Sequence, residues 1–297
     1  MSLLDFLRDP PPEFVFEVAA DGIAMSRTRP PAEFRHVPLR PGVLSPSPVR
    51  ENILDAPAFA DAVNHLTPAG GRGRRRTVLI LPDNSVRIAV LDFDKFPDKE
   101  DERRPLINFR LRKSVPFDID EAALSYFPQP GNKILVALSP AGIIDRYEAP
   151  FRAAGWHPGL ITVSSLAMLD LLPGTGSVVL AHLSPGVLTI IAMSGGVATI
   201  TRSVEIGEET SDPLDEVIAA LYPTLAYIED QTHTRPEKLY VAGFGSDSET
   251  ASVRLAVELD ITVEPVAPDY PGLAGYLASL TAKSRTAPNH SAKQVAA

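Results

Sequence analysis

The sequence predicts an α/β protein of two lobes with mixed sheets. Three observations carry this. Short β-branched and aromatic runs alternate with helical segments, the pattern of layered α/β folds. Each half follows the same plan, a meander of strands and then a helix, a strand and a helix, although no sequence similarity between the halves is visible. The length, 297 residues, exceeds one average domain and is enough for two cores.

Composition narrows the function classes. Hydrophobic content of 44% with 22% charged residues is that of a soluble globular chain. There is no cysteine, so disulfides and thiolate metal sites are excluded, which suits a reducing cytoplasm. The start, MSLLDFLRDPPPEF, is not a signal peptide: its apolar part is short and Asp5 and Asp9 interrupt it. No run of about 20 apolar residues is present to span a bilayer. A net charge of −9 argues against nonspecific nucleic-acid binding. The one basic run, Arg72, Arg74, Arg75 and Arg76, reads as a solvated loop before a strand, with anionic lipid head groups as the functional alternative.

The elements follow in order. Leu3, Leu4, Phe6 and Leu7 suggest one amphipathic turn, ended by Pro10 to Pro12. Residues 14–18 read as a strand, Asp21-Gly22 as a hairpin turn and 23–26 as the returning strand. Residues 28–50, rich in proline and arginine, read as an extended connection. Asp55 and Pro57 open a helix with Phe59, Val63 and Leu66 on one face. Strand 77–81 turns at Pro82-Asp83-Asn84 and 86–91 returns. Between Lys99 and Lys113, acids come first and bases last, as a helix dipole favours. Pro105 places its start near Arg103, or a kink there, and Val115-Pro116 stops it. Asp118, Asp120 and Glu121 read as a helix start. Strand 134–138, helix 141–154 ending at Gly155, strand 160–163 and helix 165–172 complete the first half.

The second half opens with strands 178–183, 188–193 and 198–203, turning at Pro185-Gly186 and Gly195-Gly196. Asp212-Pro213 starts a long helix with Leu214, Val217, Leu221 and Ile228 on its stripe, bent at Pro223. A strand at 239–242 runs into Gly243-Phe244-Gly245. A helix to Glu258, strand 261–263 and a helix at 273–280 finish the fold. From Thr281 the composition is that of a disordered tail.

An ordered set of short motifs then stands out. Leu81-Pro82-Asp83 ends a strand. Ser114-Val115-Pro116-Phe117 precedes Glu121 and Tyr126. Ala153-Ala154-Gly155-Trp156 leads to Pro158, Thr201-Arg202 precedes Ile206-Gly207, and Gly243-Phe244-Gly245 follows the later strand. Over roughly residues 14 to 280 the chain resembles the PilM family, actin-like cytoplasmic proteins of the type IV pilus assembly platform. The resemblance implies a two-lobed actin-like (ribonuclease H-like) fold with a small α+β subdomain inserted in the first lobe. Its expected boundaries are 1–98 for the first lobe, 99–149 for the insert, 150–280 for the second lobe (150–176 crossing between lobes) and 281–297 for the tail. It also implies a partner, the cytoplasmic N-terminal peptide of a PilN-like membrane protein, held near the insert. Through that partner the chain would sit at the inner membrane and connect to motor ATPase machinery. A homo-oligomer is compatible with it. The groove would be lined by Ile80, Ile88 and Val90, or by Phe109, Leu111 and Phe117.

The nucleotide loops depart from the family. Such folds hold ATP with two phosphate loops, and aspartates position hydrated magnesium. The first loop falls on Glu17-Val18-Ala19-Ala20-Asp21-Gly22-Ile23-Ala24, where Ala19 replaces a close-approach glycine and Ala24 the lysine. Asp21 would face phosphate at a cost of roughly 1–4 kcal/mol at about 4 Å. The second loop falls on His182-Leu183-Ser184-Pro185-Gly186, where the carboxylate is gone and Pro185 lacks a donor. Gly243 and Gly245 remain on the adenosine side, although a lone Gly-x-Gly also serves plain strand-to-helix geometry. The nucleotide-site residues are therefore Glu17, Asp21, Gly22, Ser184, Gly186, Gly243 and Gly245, and no cofactor, catalytic residue or metal ligand is expected of them.

Other chemistry is not found. Asp92-Phe93-Asp94 reads as solvent-facing aspartates flanking an inward Phe. His36, His65, His157, His182, His233 and His290 have no ligand spacing. His182, on a buried strand, reads as a hydrogen-bonded core histidine and Trp156 as a packing anchor. The sequence contains no G-x-S-x-G, Walker or dinucleotide motif. Two classes of function remain. One is a non-enzymatic adaptor of the pilus platform; the other is an active actin-like ATPase, for which Glu17 and Asp21 are the first-loop carboxylates. A cytoplasmic part of a type II secretion platform is a third reading.

Overall fold

The computed structural model describes residues 12–30, 33–67, 75–207, 213–266 and 269–286. The turn expected at Leu3 to Leu7, Arg72 and Arg74 of the basic run, the expected cap Asp212 and the last eleven residues of the expected tail lie outside the described residues.

Two five-stranded sheets share one topology. In the first, the order is β3 (Phe34–Pro38), β2 (Gly22–Arg27), β1 (Phe14–Ala19), β4 (Arg75–Leu81) and β8 (Trp156–Val163). In the second it is β11 (Val197–Glu205), β10 (Val187–Ser194), β9 (Ser177–Ser184), β12 (Lys238–Ala242) and β13 (Thr262–Pro265). In both, three antiparallel strands are continued by two parallel ones. The central strands are apolar on both faces, as strands covered on both sides must be. A third sheet, β5 (Arg87–Asp92), β7 (Lys133–Pro140) and β6 (Ala122–Gln129), carries α2 (Glu100–Leu111).

One face of the first sheet is covered by α1 (Ala56–Leu66) and α3 (Ala141–Ala153). Asp55 caps α1 by accepting from the Ala58 amide at 3.0 Å. Gly155, at φ +84°, ends α3. Phe16 meets Phe151 and Trp156 edge to face, each with ring centres 5.1 Å apart, and Trp156 Nε1 donates to Thr67 Oγ1 at 2.9 Å. The opposite face is covered by α4 (Ser164–Met168) and by α7 (Pro271–Thr286), whose Leu273 packs with Val15, Val78 and Ile80. In the second lobe, α5 (Pro213–Thr232) and α6 (Ser248–Leu259) place Val217, Leu221, Ile228 and Leu255 on β9, β10 and β12.

Several expectations are corrected. Residues 28–50 contain β3, which pairs with β2, and Asn52 pins the loop beyond it. The β1–β2 turn is Ala20-Asp21, because Ala19 pairs with Gly22. Residues 86–91 do not return to β4: both sides of β4 are already taken by β1 and β8, so β5 starts the third sheet. The helix of the insert begins at Glu100 and passes through Pro105. Asp118 caps only a single 3-10 turn, 119–121, before β6. The sheet of the insert thus starts at Arg87 rather than at 99, and α3 packs on the first lobe's core. The last helix belongs to the first lobe and continues to Thr286. α5 contains Pro223 within its length.

Candidate functional site

The two lobes face each other across a cleft at the carboxyl ends of β1, β9 and β12, where ligands of open α/β sheets bind. It encloses 680 Å³. Glu17, Asp21, Ser184, Gly243 and Gly245 line it, so five of the seven residues singled out in the sequence meet there. Gly22 and Gly186 adjoin it through Asp21 and Pro185.

Glu17 does not point a free carboxylate at the cleft. Its Oε1 accepts from Ser164 Oγ at 2.7 Å and from the Gly272 amide at 3.2 Å; its Oε2 accepts from the Leu273 amide at 2.7 Å. It caps α7, where the helix dipole favours an anion. Burial raises its pKa, and the Ser164 bond, the two amides and nearby His182 offset part of that rise.

Asp83, of the Leu81-Pro82-Asp83 motif, does more than turn the chain. It is 3% exposed; Oδ1 accepts from the Ser165 amide at 2.9 Å and Oδ2 meets His182 Nδ1 at 2.8 Å. Asp83 belongs to the first lobe and His182, on β9, to the second. Burial alone would lower the His182 pKa, but Asp83 beside it and Glu17 beyond raise it. Burial alone would raise that of Asp83, but His182 and the Ser165 amide bring it below its usual value. Both shifts favour the charged form, His182 upward and Asp83 downward, because each group faces the other. His182 is the buried, hydrogen-bonded histidine expected, and its partner comes from the other lobe; the signal for that partner is the Pro-Asp step directly after a buried strand.

The glycines serve the backbone. Gly243 has φ +90°, and a Cβ there would run into the Leu183 carbonyl oxygen; it lets β12 lie close to the end of β9. Gly245, at φ +53°, starts the turn into α6. Gly22 lies under His36 and Tyr270, whose hydroxyl would stand 2.8 Å from an added Cβ. Gly186 makes the β9–β10 turn at φ +77°. Ser184 Oγ is buried without a hydrogen-bond partner.

These residues do not fit a magnesium triphosphate. Asp21, Asp269 and Glu17 line the cleft, and no lysine or arginine does among the described residues. Glu17 in the cleft and Asp83 beside it already have protein partners, and Pro185 stands in the second loop without a donor.

A second concavity, of 570 Å³, lies between β6 and β7 of the insert, β8 of the first sheet and α7. Phe127 and Leu160, 66% and 46% exposed, line it together with the partly buried Ile144 and Tyr276. Both β6 and β8 are outer strands of their sheets. The groove residues expected from the sequence are not in it. Ile80 and Leu111 are buried in separate cores, Ile88 and Val90 pack against the lobes, Phe117 packs on the insert's own core, and Phe109 lies out on α2, 77% exposed.

No family model matches this chain, and no curated protein matches it in sequence. Solved structures do match in shape. A PilM–PilN type IV pilus biogenesis complex is 18% identical with a TM-score of 0.71, over 90% of this chain and 98% of that one. A protein of Bacteroides thetaiotaomicron with an actin-like ATPase fold is 13% identical at 0.60, over 93% and 99%. The cytoplasmic domain of EpsL, an inner-membrane component of the Vibrio cholerae type II secretion system, is 9% identical at 0.53, over 90% and 94%. With two sheets of one topology facing a cleft and a small sheet inserted in the first lobe, the chain has the actin-like fold.

Proposed function

We propose that this chain is a non-enzymatic adaptor of a type IV pilus assembly platform, binding the cytoplasmic N-terminal peptide of a PilN-like membrane protein. The observation that carries the reading is the groove between β6 and β8. An extended peptide entering it has an unpaired strand edge on either side for main-chain hydrogen bonds. Apolar side chains such as Phe127 and Leu160 would take alternate residues of that peptide. The likeness in shape to a PilM–PilN complex supports the choice of partner.

Nucleotide plays no part in this reading. Asp21 and Asp269 face a cleft with no lysine or arginine among its described lining residues, and Glu17 is already held by α7, so a triphosphate lacks charge balance there. Among the described residues no helix is long and apolar enough to cross a membrane, so membrane association would come through the partner. The test is a pull-down with the synthetic N-terminal tail of a PilN-like protein and a scrambled tail as control. Enrichment lost in Phe127→Glu and Leu160→Glu supports the reading. Equal capture of both tails refutes it, and preference for the tail of a secretion-platform protein moves the chain to that system.

A further inference from the structure

Two carboxylates of the first lobe approach one imidazole of the second on the floor of the cleft. Asp83 meets His182 at 2.8 Å, and Glu17 and His182 line the same cleft. His182 itself stands where the resemblance puts the metal-side carboxylate of the second phosphate loop.

We infer that His182 serves as a built-in cation that holds the lobes closed, so that closure needs neither metal nor nucleotide. Asp83 and Glu17 stand on the first lobe and His182 on the second. All three groups are fixed from behind. Ser165 holds Asp83, the amides of α7 and Ser164 hold Glu17, and His182 sits mid-sheet on β9, between β10 and β12. A buried imidazole and carboxylate at this distance bind strongly only while both stay, because removing one strands the other's charge. Two further ties join the lobes at the rim. Gln129 exchanges hydrogen bonds with the Ala198 backbone at 3.1 and 2.9 Å, and Thr201 donates to the Ile88 carbonyl at 3.2 Å.

The inference deepens the nucleotide-independent part of the proposed function and leaves the peptide groove aside, so a failed pull-down does not touch it. The chain has no cysteine, and Leu54 and Val257 are exposed on different lobes. Spin labels at Leu54→Cys and Val257→Cys therefore report the distance between lobes. The expected result is one narrow distance, unchanged by EDTA, by magnesium or by Mg-ATP. His182→Ala should broaden and lengthen it; His182→Asn, whose amide can donate to Asp83 without charge, should fall between. A broad distance in the parent chain, or one that narrows on adding Mg-ATP, overturns the inference, as does an Ala variant as narrow as the parent. If His182→Ala does not fold, the ligand series on the parent chain decides.

Discussion

Gly275 of α7 rests directly on the Ala167 carbonyl of α4: a Cβ built on the glycine would collide with that oxygen and stand 2.7 Å from its carbon and 2.8 Å from Met168 Cα. The contact seats the last helix on the first sheet and so delivers the Gly272 and Leu273 amides to Glu17. In an open helix, Gly→Ala gains up to about 1 kcal/mol. Here the obstacle is backbone, which cannot rotate away, and overpacking costs roughly 1–3 kcal/mol. Gly275→Ala should therefore lower stability in urea unfolding. Gly142→Ala, in the first turn of α3 with nothing within 4 Å, should be neutral or mildly stabilising. A stabilised Gly275→Ala would mean that α7 is not seated as described.

That contact also marks what the sequence left unread. Strands such as 178–183 and 188–193 were legible because near-continuous apolar runs between turn residues admit few other readings. β3 was not, since its residues are mostly exposed and its existence depends on the free edge of β2. The destination of β5 was invisible for a similar reason: only the occupancy of both sides of β4 excludes its return. At the site, Glu17 and His182 could be picked out one by one. Their meeting with Asp83 is a tertiary fact, as is the use of Glu17 as a helix cap by amides some 255 residues away.

The segment read as a loose connection is held by Asn52, which is 2% exposed. Its Oδ1 accepts from the Ser47 amide, Ser85 Oγ and Tyr147 OH at 3.1, 2.8 and 3.1 Å; its Nδ2 donates to the Ser47 and Arg50 carbonyls, each at 2.7 Å. Asn52→Leu strands buried donors and carbonyls and should cost roughly 2–3 kcal/mol in chemical denaturation. Tyr147→Phe removes one hydroxyl from the same network, leaves Ser85 bonded to Asn52, and should cost about 0.5–1.5 kcal/mol. Equal costs for the two would place the network elsewhere.

The Asp83–His182 pair sets a pH signature. His182 has a raised pKa in the folded chain, so its contribution is complete below 6.5, its ordinary value, and is lost as pH rises through the folded value. Asp83 has a lowered pKa, so its contribution is complete above 3.8 and is lost as pH falls through its folded value. Glu17, raised by burial, adds to the loss above 4.5. Thermal stability should decline as pH rises beyond 6.5, and His182→Asn should flatten that decline. A parent and an Asn variant with parallel curves above 6.5 would remove His182 as its source.

Nucleotide affinity can be bounded by the same kind of melt. A ligand present at about 100 times its Kd stabilises the folded chain by roughly 2.7 kcal/mol. For a chain of this size each kcal/mol moves Tm by about 2–4 °C or somewhat less, so such binding would shift the melt by several degrees. With no lysine or arginine among the described cleft residues and with Asp21 and Asp269 facing the space, the gain should be absent. Mg-ATP at millimolar concentration is expected to leave Tm where buffer and magnesium alone leave it. The informative variant is Asp21→Lys, which puts a cation where the first phosphate loop would need one without touching the Glu17 cap. If the parent chain shifts by several degrees and Asp21→Lys shifts further, the cleft holds phosphate despite its acids. If neither shifts, a cation at the first loop is not by itself enough to make the cleft hold phosphate.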